Sequence, residues 1–157
     1  MRKTIILQAT ENNPYADLEF LDLESMAQVE ITSECEEHPI EAALIEGMES
    51  GWQAVLPGEQ TIRIIFDQPQ AIQHIILMFD EHEQSRTQEF ILLYRADNDD
   101  SFHEILRQQY HFSPPTTTRE IEHYNVNLNQ LMVLELRITP DISGGVACAK
   151  LKQLRLA

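Results

Sequence analysis

The sequence lacks any apolar run near the ~20 residues that cross a bilayer, so we expect no membrane segment. Near the start, the strongly apolar stretch Ile5 to Leu7 is shorter than the roughly 7–15 residues of a signal-peptide core. These two absences predict a cytoplasmic protein. Because the 157 residues include neither an internal repeat nor a Gly/Ser linker, we expect residues 1–157 to form one domain.

Cysteine is also scarce, and Cys35 and Cys148 are the only two in the chain. Without a Cys-x-x-Cys pair or a Cys/His cluster, the sequence does not predict a structural zinc site. In a reducing compartment two free thiols are the expected state. A disulfide between them is the alternative, because the sequence does not show whether their Cα atoms come within ~7 Å.

Positive charge is missing from a long part of the chain. No Lys or Arg occurs from residue 4 through residue 62, whereas residues 11–50 hold twelve carboxylates. The net charge of −15 would repel phosphate backbones, so we expect no nucleic-acid partner. From Arg137 onward the balance reverses, with four basic residues against one acid. The acidic part serves either solubility and ion pairing with the basic part, or docking of a basic partner or a cation.

Catalytic motifs are missing as well. The sequence has no GxSxG, HExxH, P-loop or dinucleotide-binding fingerprint. Its six histidines are scattered, and abundant carboxylates do not by themselves predict the paired acids of a glycosidase. We therefore expect a protein that is not an enzyme.

What the sequence does contain is a series of short segments with the period-two pattern of β-strands. The segment "QTIRIIFD" places Ile62, Ile64 and Phe66 on one face. Further segments of this kind are IQHIILMF, EFILLYR, FHEIL, TREIEHY, LMVLELRI and AKLKQLRL, separated by turn residues at 67–69, 97–100, 113–115 and 139–145. Strands at this spacing predict an antiparallel β-sandwich or barrel.

The first third of the chain has a different pattern. The segment "HPIEAALIEG" predicts one short helix near residues 39–46, with Pro39 at its first position and Gly47 at its end. Residues 1–25 are either an edge strand or a loop that packs on the sandwich, and "VEITS" after them is a candidate strand. The buried helix face would be Ile40, Ala43 and Leu44, and the packing residues of the first segment would be Leu18, Phe20 and Leu23.

The order of Ala43, the pair Glu46 and Gly47, and Trp52 ahead of these strands resembles the galactose-binding-like β-sandwich superfamily. Discoidin domains and many carbohydrate-binding modules belong to this superfamily. The resemblance covers about residues 26–157 and implies an all-β fold, an antiparallel jelly-roll β-sandwich, with Trp52 in a buried packing role. The strand residues that fit the pattern are Ile62, Ile64, Phe66, Pro69, Ile72 and Ile75.

Within this superfamily, "TSECEEHPIEAAL" followed by "WQAVLPGEQTIRIIF" is similar to the amino-terminal domain of the X-ray-repair scaffold protein. That domain is an intracellular interaction module without catalytic activity. This second resemblance implies a protein partner.

The superfamily resemblance also implies two kinds of site. Many members hold calcium at the loop with the acidic-glycine pair, which nominates Glu46, Glu49 and Ser50 as ligands. Here a glutamate replaces the usual aspartate, and Gln153 stands where the last strand usually supplies an acid. The alternative is a solvated acidic turn, and no other cofactor is expected.

Sugar-binding members use loops at one end of the sandwich, where charged groups bond to vicinal hydroxyls and an aromatic ring stacks on the sugar. By this resemblance His82, Glu83 and Arg86 would bind the ligand, and Tyr110 and His111 would form the stacking wall. The alternative is that these are ordinary loop residues beside a half-buried aromatic cluster. The leading hypothesis is a non-catalytic module that recognises a carbohydrate or similar small polar ligand. The other is an intracellular protein-interaction domain that uses a sheet face or the acidic first third.

Overall fold

A computed structural model describes residues 17–157, so most of the predicted amino-terminal edge segment lies outside the described residues. The described part is built almost entirely from β-strands, which are joined by short turns and two one-turn helices. In chain order the elements are α1 (Leu23–Met26), β1 (Ala27–Ile31), α2 (Glu41–Leu44), β2 (Trp52–Pro57), β3 (Gln60–Asp80), β4 (Arg86–Ala96), β5 (His103–Phe112), β6 (Arg119–Thr139), β7 (Cys148–Leu151) and β8 (Gln153–Leu156).

The two long strands β3 and β6 pair with each other along most of their length, and every strand pair is antiparallel. The first part of β3 also pairs with β1, and its last part pairs with β8. The last part of β6 pairs with β4, which in turn pairs with β5, while β2 and β7 form a separate two-stranded sheet. The predicted all-β, antiparallel jelly-roll sandwich is confirmed.

The core lies between the layers that β3 and β6 help to form. Phe79 of β3 stacks on Phe90 of β4 with ring centroids 5.2 Å apart, although these two strands are not hydrogen-bonded neighbours. The predicted face of Ile62, Ile64 and Phe66 is confirmed, since each of these side chains is 1% exposed. Burying such side chains stabilises the fold by about 1.5–3 kcal/mol each relative to leaving them exposed.

Three of the predicted strand boundaries are wrong, one of them because TREIEHY and LMVLELRI belong to the single strand β6. The proposed turn at 67–69 is part of β3, where pairing with β6 is interrupted between Ile65 and Gln70. Pro69 has no N–H to donate to a ladder, so it produces an irregular stretch within a strand instead of a chain reversal. At the other end of the chain, "AKLKQLRL" is not one strand, because Lys152 separates β7 from β8 and the two pair with different strands.

The short helix is confirmed but is shorter than predicted, because α2 ends at Leu44 and Ile45 is already extended. Gly47 follows with φ of +85°, as expected of a residue that reverses the chain after a helix. Residues 17–22 form a loop instead of an edge strand, and Leu23 after them is buried. Both cysteines are free thiols. The predicted buried residues of α2, Ile40, Ala43 and Leu44, are all buried.

Candidate ligand-binding cleft

A cleft of about 230 Å³ lies at one end of the sandwich, over the small β2–β7 sheet. Its floor includes Gln53 of β2 and Lys150 of β7, which are directly paired across the two strands. Three loops surround this floor: the loop after β1, the loop between α2 and β2, and the loop between β3 and β4. The side chains that bring polar chemistry to the cleft are His38, Ser50, Gln53, Asp80, His82, Lys150 and Lys152, and Ser50 is one of the residues predicted as a calcium ligand.

The loop after β1 is fixed to the cleft floor through backbone hydrogen bonds. The N–H of Cys35 donates to the carbonyl of Gln53 over 2.8 Å, and the N–H of Gln53 donates to the carbonyl of His38 over 3.2 Å. Beneath this loop, the Nε1–H of Trp52 donates to the carbonyl of Ser33 over 3.1 Å. Trp52 is 1% exposed, which agrees with its predicted packing role, and it ties the loop with His38 to the core.

Gly51 brings the loop before β2 close to the end of β7. Its φ is +73°, and a Cβ added there would lie 2.9 Å from the carbonyl oxygen of Leu151. Only glycine adopts this backbone conformation without strain and also allows the approach. The same loop is held by Lys152, whose Nζ donates to the carbonyl of Glu49.

The third loop is anchored by a buried ion pair. Nε of Arg86 lies 2.8 Å from Oε1 of Glu81, and both side chains are 0% exposed. Burial alone would raise the pKa of Glu81, but the hydrogen bonds from Arg86 and from the N–H of Glu83, together with the charge of Lys150, lower it overall. Glu81 is therefore an ionised carboxylate that holds the base of this loop.

Asp80 at the start of the same loop is also paired. Nε and Nη2 of Arg119 donate to its two carboxylate oxygens over 2.7 and 2.9 Å, in a bidentate arrangement. This pair closes the side of the cleft next to β6 and balances the only carboxylate among the residues that line it.

Comparisons with protein families and with curated protein sequences give no match. Solved structures do match. A family 32 carbohydrate-binding module of Clostridium perfringens, solved with GalNAc-β-1,3-galactose, has a TM-score of 0.65 at 16% identity and covers 88% of this chain and 99% of its own. The family 32 module of AlyQ, solved with 4,5-unsaturated mannuronic acid, has a TM-score of 0.63 at 13% identity, with 89% and 98% covered. The chain has the galactose-binding-like fold.

The second resemblance also has a structural counterpart. Reduced XRCC1, solved bound to the catalytic domain of DNA polymerase β, matches with a TM-score of 0.57 at 8% identity, covering 84% of this chain and 97% of its own. At these identities the galactose-binding-like fold is what the three structures share with this chain.

Of the five residues predicted to bind a ligand, His82 is the one that lines the cleft, and it is exposed. Glu83 is an exposed neighbour whose backbone N–H bonds to Glu81. Arg86 is buried under the loop and does not reach the surface, which corrects its predicted role as a ligand contact.

The predicted stacking wall lies outside the lining of the cleft. The hydroxyl of Tyr110 donates to the carbonyl of Arg119, and the ring of Tyr110 packs edge-on against Phe112. The imidazole of His111 lies 2.8 Å from the hydroxyl of Thr87. Both residues stay on β5 with protein partners, so the geometry places them apart from His82.

Several cleft residues were not predicted from the sequence. Gln53 and Lys150 come together through the β2–β7 pairing, which joins strands nearly a hundred residues apart in the chain. One pattern could have indicated part of the set: Lys150 and Lys152 are two residues apart in a strand-like segment, so they share a face.

The residues proposed for calcium do not fit that ion. Glu46, Glu49 and Ser50 are exposed, and residues 17–157 contain no cluster of three or more His, Cys, Asp or Glu side chains that could hold a metal. Two cations of the protein itself bond to carbonyls of this region: Lys152 donates to Glu49, and Arg155 donates to Ala43 and Ile45 over 2.8 and 3.2 Å. The carbonyls of Glu49, Ala43 and Ile45 therefore already accept hydrogen bonds from cationic side chains.

Behind the buried ion pair, polar groups continue into the sandwich. Gln88 bonds to Arg86 and to Glu120, and Glu120 is 1% exposed with its Oε2 unpartnered. Burial, followed by the neighbouring carboxyl group of Glu122, raises the pKa of Glu120 to about 8. Burial also raises the pKa of Tyr124 beside them.

Proposed function

We propose that this protein is a non-catalytic carbohydrate-recognition module that binds its ligand in the cleft over the β2–β7 sheet. The observation that carries the proposal is the cleft itself. It collects side chains from three loops at one end of a sandwich, and solved examples of this fold include sugar complexes.

The chemistry of the cleft suits a polyhydroxylated ligand. Gln53 offers an amide that both donates and accepts hydrogen bonds, and His38 and His82 each offer a ring nitrogen of either kind. Trp52 and Gly51 hold the backbone around His38 and Gln53, so this part of the cleft needs little loop ordering when a ligand binds.

The proposal of a module without catalytic activity rests on the state of the nearby carboxylates. Cleavage of a glycosidic bond needs one protonated and one ionised acid on either side of the bond. At the cleft, Asp80 is held by Arg119, and Glu81 is buried against Arg86 with a lowered pKa. Neither is placed to give a proton to a leaving group.

A glycan microarray followed by calorimetric titration tests the proposal. Binding by the wild-type protein should fall at least about tenfold in His82→Ala, which loses a cleft side chain, a change worth about 1.4 kcal/mol. His111→Ala is the matched control, because His111 is an exposed histidine outside the cleft. An array without signal, from protein that unfolds cooperatively, would remove the proposal, and so would equal losses in the two variants.

A protein-interaction domain is the second candidate, favoured by an exposed apolar group beside the β2–β7 sheet. Val55, Leu56 and Val146 are 60%, 55% and 86% exposed, and the pairing of Pro57 with Cys148 places them in one region. Apolar side chains grouped at a surface are typical of a protein contact.

Sedimentation equilibrium tests whether this group contacts a second copy of the chain. Self-association that is lost in Val55→Ser/Val146→Ser, together with a microarray without signal, would favour this candidate. A monomer at all concentrations that binds glycans would favour the first.

A further inference from the structure

We propose that the ligand of this cleft is an acidic saccharide, one that carries a carboxylate or a sulfate ester, and that Lys150 and Lys152 recognise its charge. This inference rests on the proposed function and adds the chemical class of the sugar. The observation behind it is an excess of positive charge at the cleft of a strongly acidic protein.

The charge excess follows from the pairing of the groups at and under the cleft. Its two carboxylates, Asp80 and Glu81, are already matched by Arg119 and Arg86 at 2.7 and 2.8 Å. Lys150 therefore makes a longer contact, of 3.4 Å, to a carboxylate that Arg86 already pairs, and Lys152 bonds to a backbone carbonyl instead of a carboxylate.

Lys150 lies on the floor of the cleft and keeps part of its side chain open to solvent. Its Nζ lies 3.4 Å from Oε2 of Glu81, a carboxylate that already forms a shorter bond to Arg86, and the Lys150 side chain is 27% exposed. An ammonium group has three N–H donors, so an incoming anion can bond to Lys150 without displacing Glu81.

Lys152 contributes a second charge two residues further along. Its partner is the backbone carbonyl of Glu49, which fixes the ammonium at the rim but does not neutralise it. The two ammonium groups and the imidazoles of His38 and His82 thus approach one cleft from different sides.

This concentration of basic groups contrasts with the rest of the molecule. The chain has three lysines, two of which line the cleft, and its net charge is −15. At physiological salt the Debye length is about 8 Å, so the charges that act most strongly on an anion inside the cleft are those at and next to the cleft.

The aromatic content of the cleft supports the same ligand class. Neutral sugars are commonly held by an exposed ring that stacks on the apolar sugar face. Trp52, the indole that lines this cleft, is 1% exposed and serves as part of the floor. Recognition here depends on hydrogen bonds and charge.

Calorimetric titration with three oligosaccharides of equal length tests the inference: neutral galactan, galacturonan with carboxylates, and sulfated galactan. We expect at least one acidic oligosaccharide to bind about tenfold or more tightly than the neutral one at about 0.15 M salt, and this preference to shrink at about 1 M salt, where the Debye length is about 3 Å. The stronger of the two acidic ligands identifies the anionic group.

Variants of Lys150 test whether the cleft causes the preference for acidic over neutral oligosaccharides. Lys150→Gln should weaken acidic ligands several-fold more than it weakens the neutral ligand, while Lys150→Arg restores the preference because it keeps the charge. Arg107→Gln is the control, since Arg107 is an exposed cation on β5 outside the cleft. The salt dependence of the wild-type protein gives a second measurement that needs no variant.

The outcomes separate the two proposals. Tighter binding of neutral galactan, or an equal loss for all three ligands in Lys150→Gln, would overturn the acidic-ligand inference and leave carbohydrate binding in place. No binding of any of the three, together with a microarray without signal, would overturn the proposed function itself.

Discussion

Arg86 and Glu81 face each other inside the protein, with Nε of Arg86 2.8 Å from Oε1 of Glu81 and neither side chain exposed. The guanidinium carbon also lies 4.8 Å from the centre of the Phe112 ring, and Nη1 donates to the carbonyl of Pro140 over 2.7 Å. One buried cation thus connects the loop with His82 to β5 and to the loop that follows β6. Arg86 positions the cleft from below.

Removing this guanidinium should destabilise the protein strongly. Arg86→Met leaves Glu81 buried with the N–H of Glu83 and the longer contact to Lys150, and loss of one partner of a buried ion pair costs about 3–5 kcal/mol. Arg107→Met is the matched control, because Arg107 is 53% exposed and pairs with Glu89 on the surface, where such pairs contribute about 0–1 kcal/mol. Urea denaturation measures both, and similar losses would contradict the positioning role of Arg86.

The raised pKa of Glu120 predicts that the free energy of unfolding decreases as the pH rises. Its pKa is raised from 4.5 to about 8 in the folded protein, first by burial and then by Glu122. The neutral form therefore stabilises the fold fully below about pH 4.5, and this contribution is lost as the pH rises towards 8. Between these values the unfolded chain has released the proton and the folded protein retains it, so stability falls by about 1.4 kcal/mol per pH unit.

Glu120→Gln should remove that slope, because an amide keeps the shape of the protonated acid and does not ionise. The variant should equal or exceed the wild-type melting temperature at pH 8 and gain little at pH 4. Glu104→Gln is the matched control, because it makes the same chemical change at an exposed carboxylate. Parallel pH profiles of the wild-type protein and Glu120→Gln would show that burial does not hold the proton.

Local patterns in the sequence were sufficient for much of the fold. Alternation identified the buried face of Ile62, Ile64 and Phe66, and glycine placement identified Gly47 as the residue with positive φ that follows the helix, although α2 already ends at Leu44. The same alternation, extended back along β4 from Phe90, would have placed Arg86 on the inward face. What local patterns do not contain is the pairing of β2 with β7, because those contacts depend on distant parts of the chain.

Chelation should leave the stability of the protein unchanged. A metal that binds only the folded state raises its melting temperature, and its removal lowers it. Here Lys152 and Arg155 already donate to the carbonyls of Glu49, Ala43 and Ile45, so we expect equal melting temperatures with and without EDTA. A fall of several degrees in EDTA that calcium reverses would contradict the assignment.

Of Lys152 and Arg155, Arg155 should contribute most of the stability that comes from hydrogen bonds to these carbonyls. It is 7% exposed, and burial lowers its pKa, so its charge is retained only at a desolvation cost. Arg155→Met would leave the carbonyls of Ala43 and Ile45 without these donors, which costs about 1–3 kcal/mol for each buried polar group left unpaired. Arg95→Met is a control in which one guanidinium–carbonyl bond, to Asp99, is lost in a less buried turn. In chemical denaturation, Arg155→Met should lose more stability than Arg95→Met.

Alanine variants of Gly51 and Gly58 separate two effects on stability: close packing at the cleft and backbone strain. Both have positive φ, +73° and +81°, so alanine at either position incurs the left-handed penalty of about 1–2 kcal/mol. At Gly58 the added Cβ meets nothing within 4 Å, whereas at Gly51 it would lie 2.9 Å from the carbonyl oxygen of Leu151.

Gly51→Ala should therefore destabilise the protein more than Gly58→Ala, and it should also weaken ligand binding, because the loop would have to move away from β7 and the cleft floor. Gly58→Ala should keep wild-type affinity, since Gly58 lies in the turn between β2 and β3 outside the cleft lining. Urea denaturation and calorimetric titration of the two variants measure the two effects. Equal stability losses with unchanged affinity would mean that the contact of Gly51 with Leu151 does not shape the cleft.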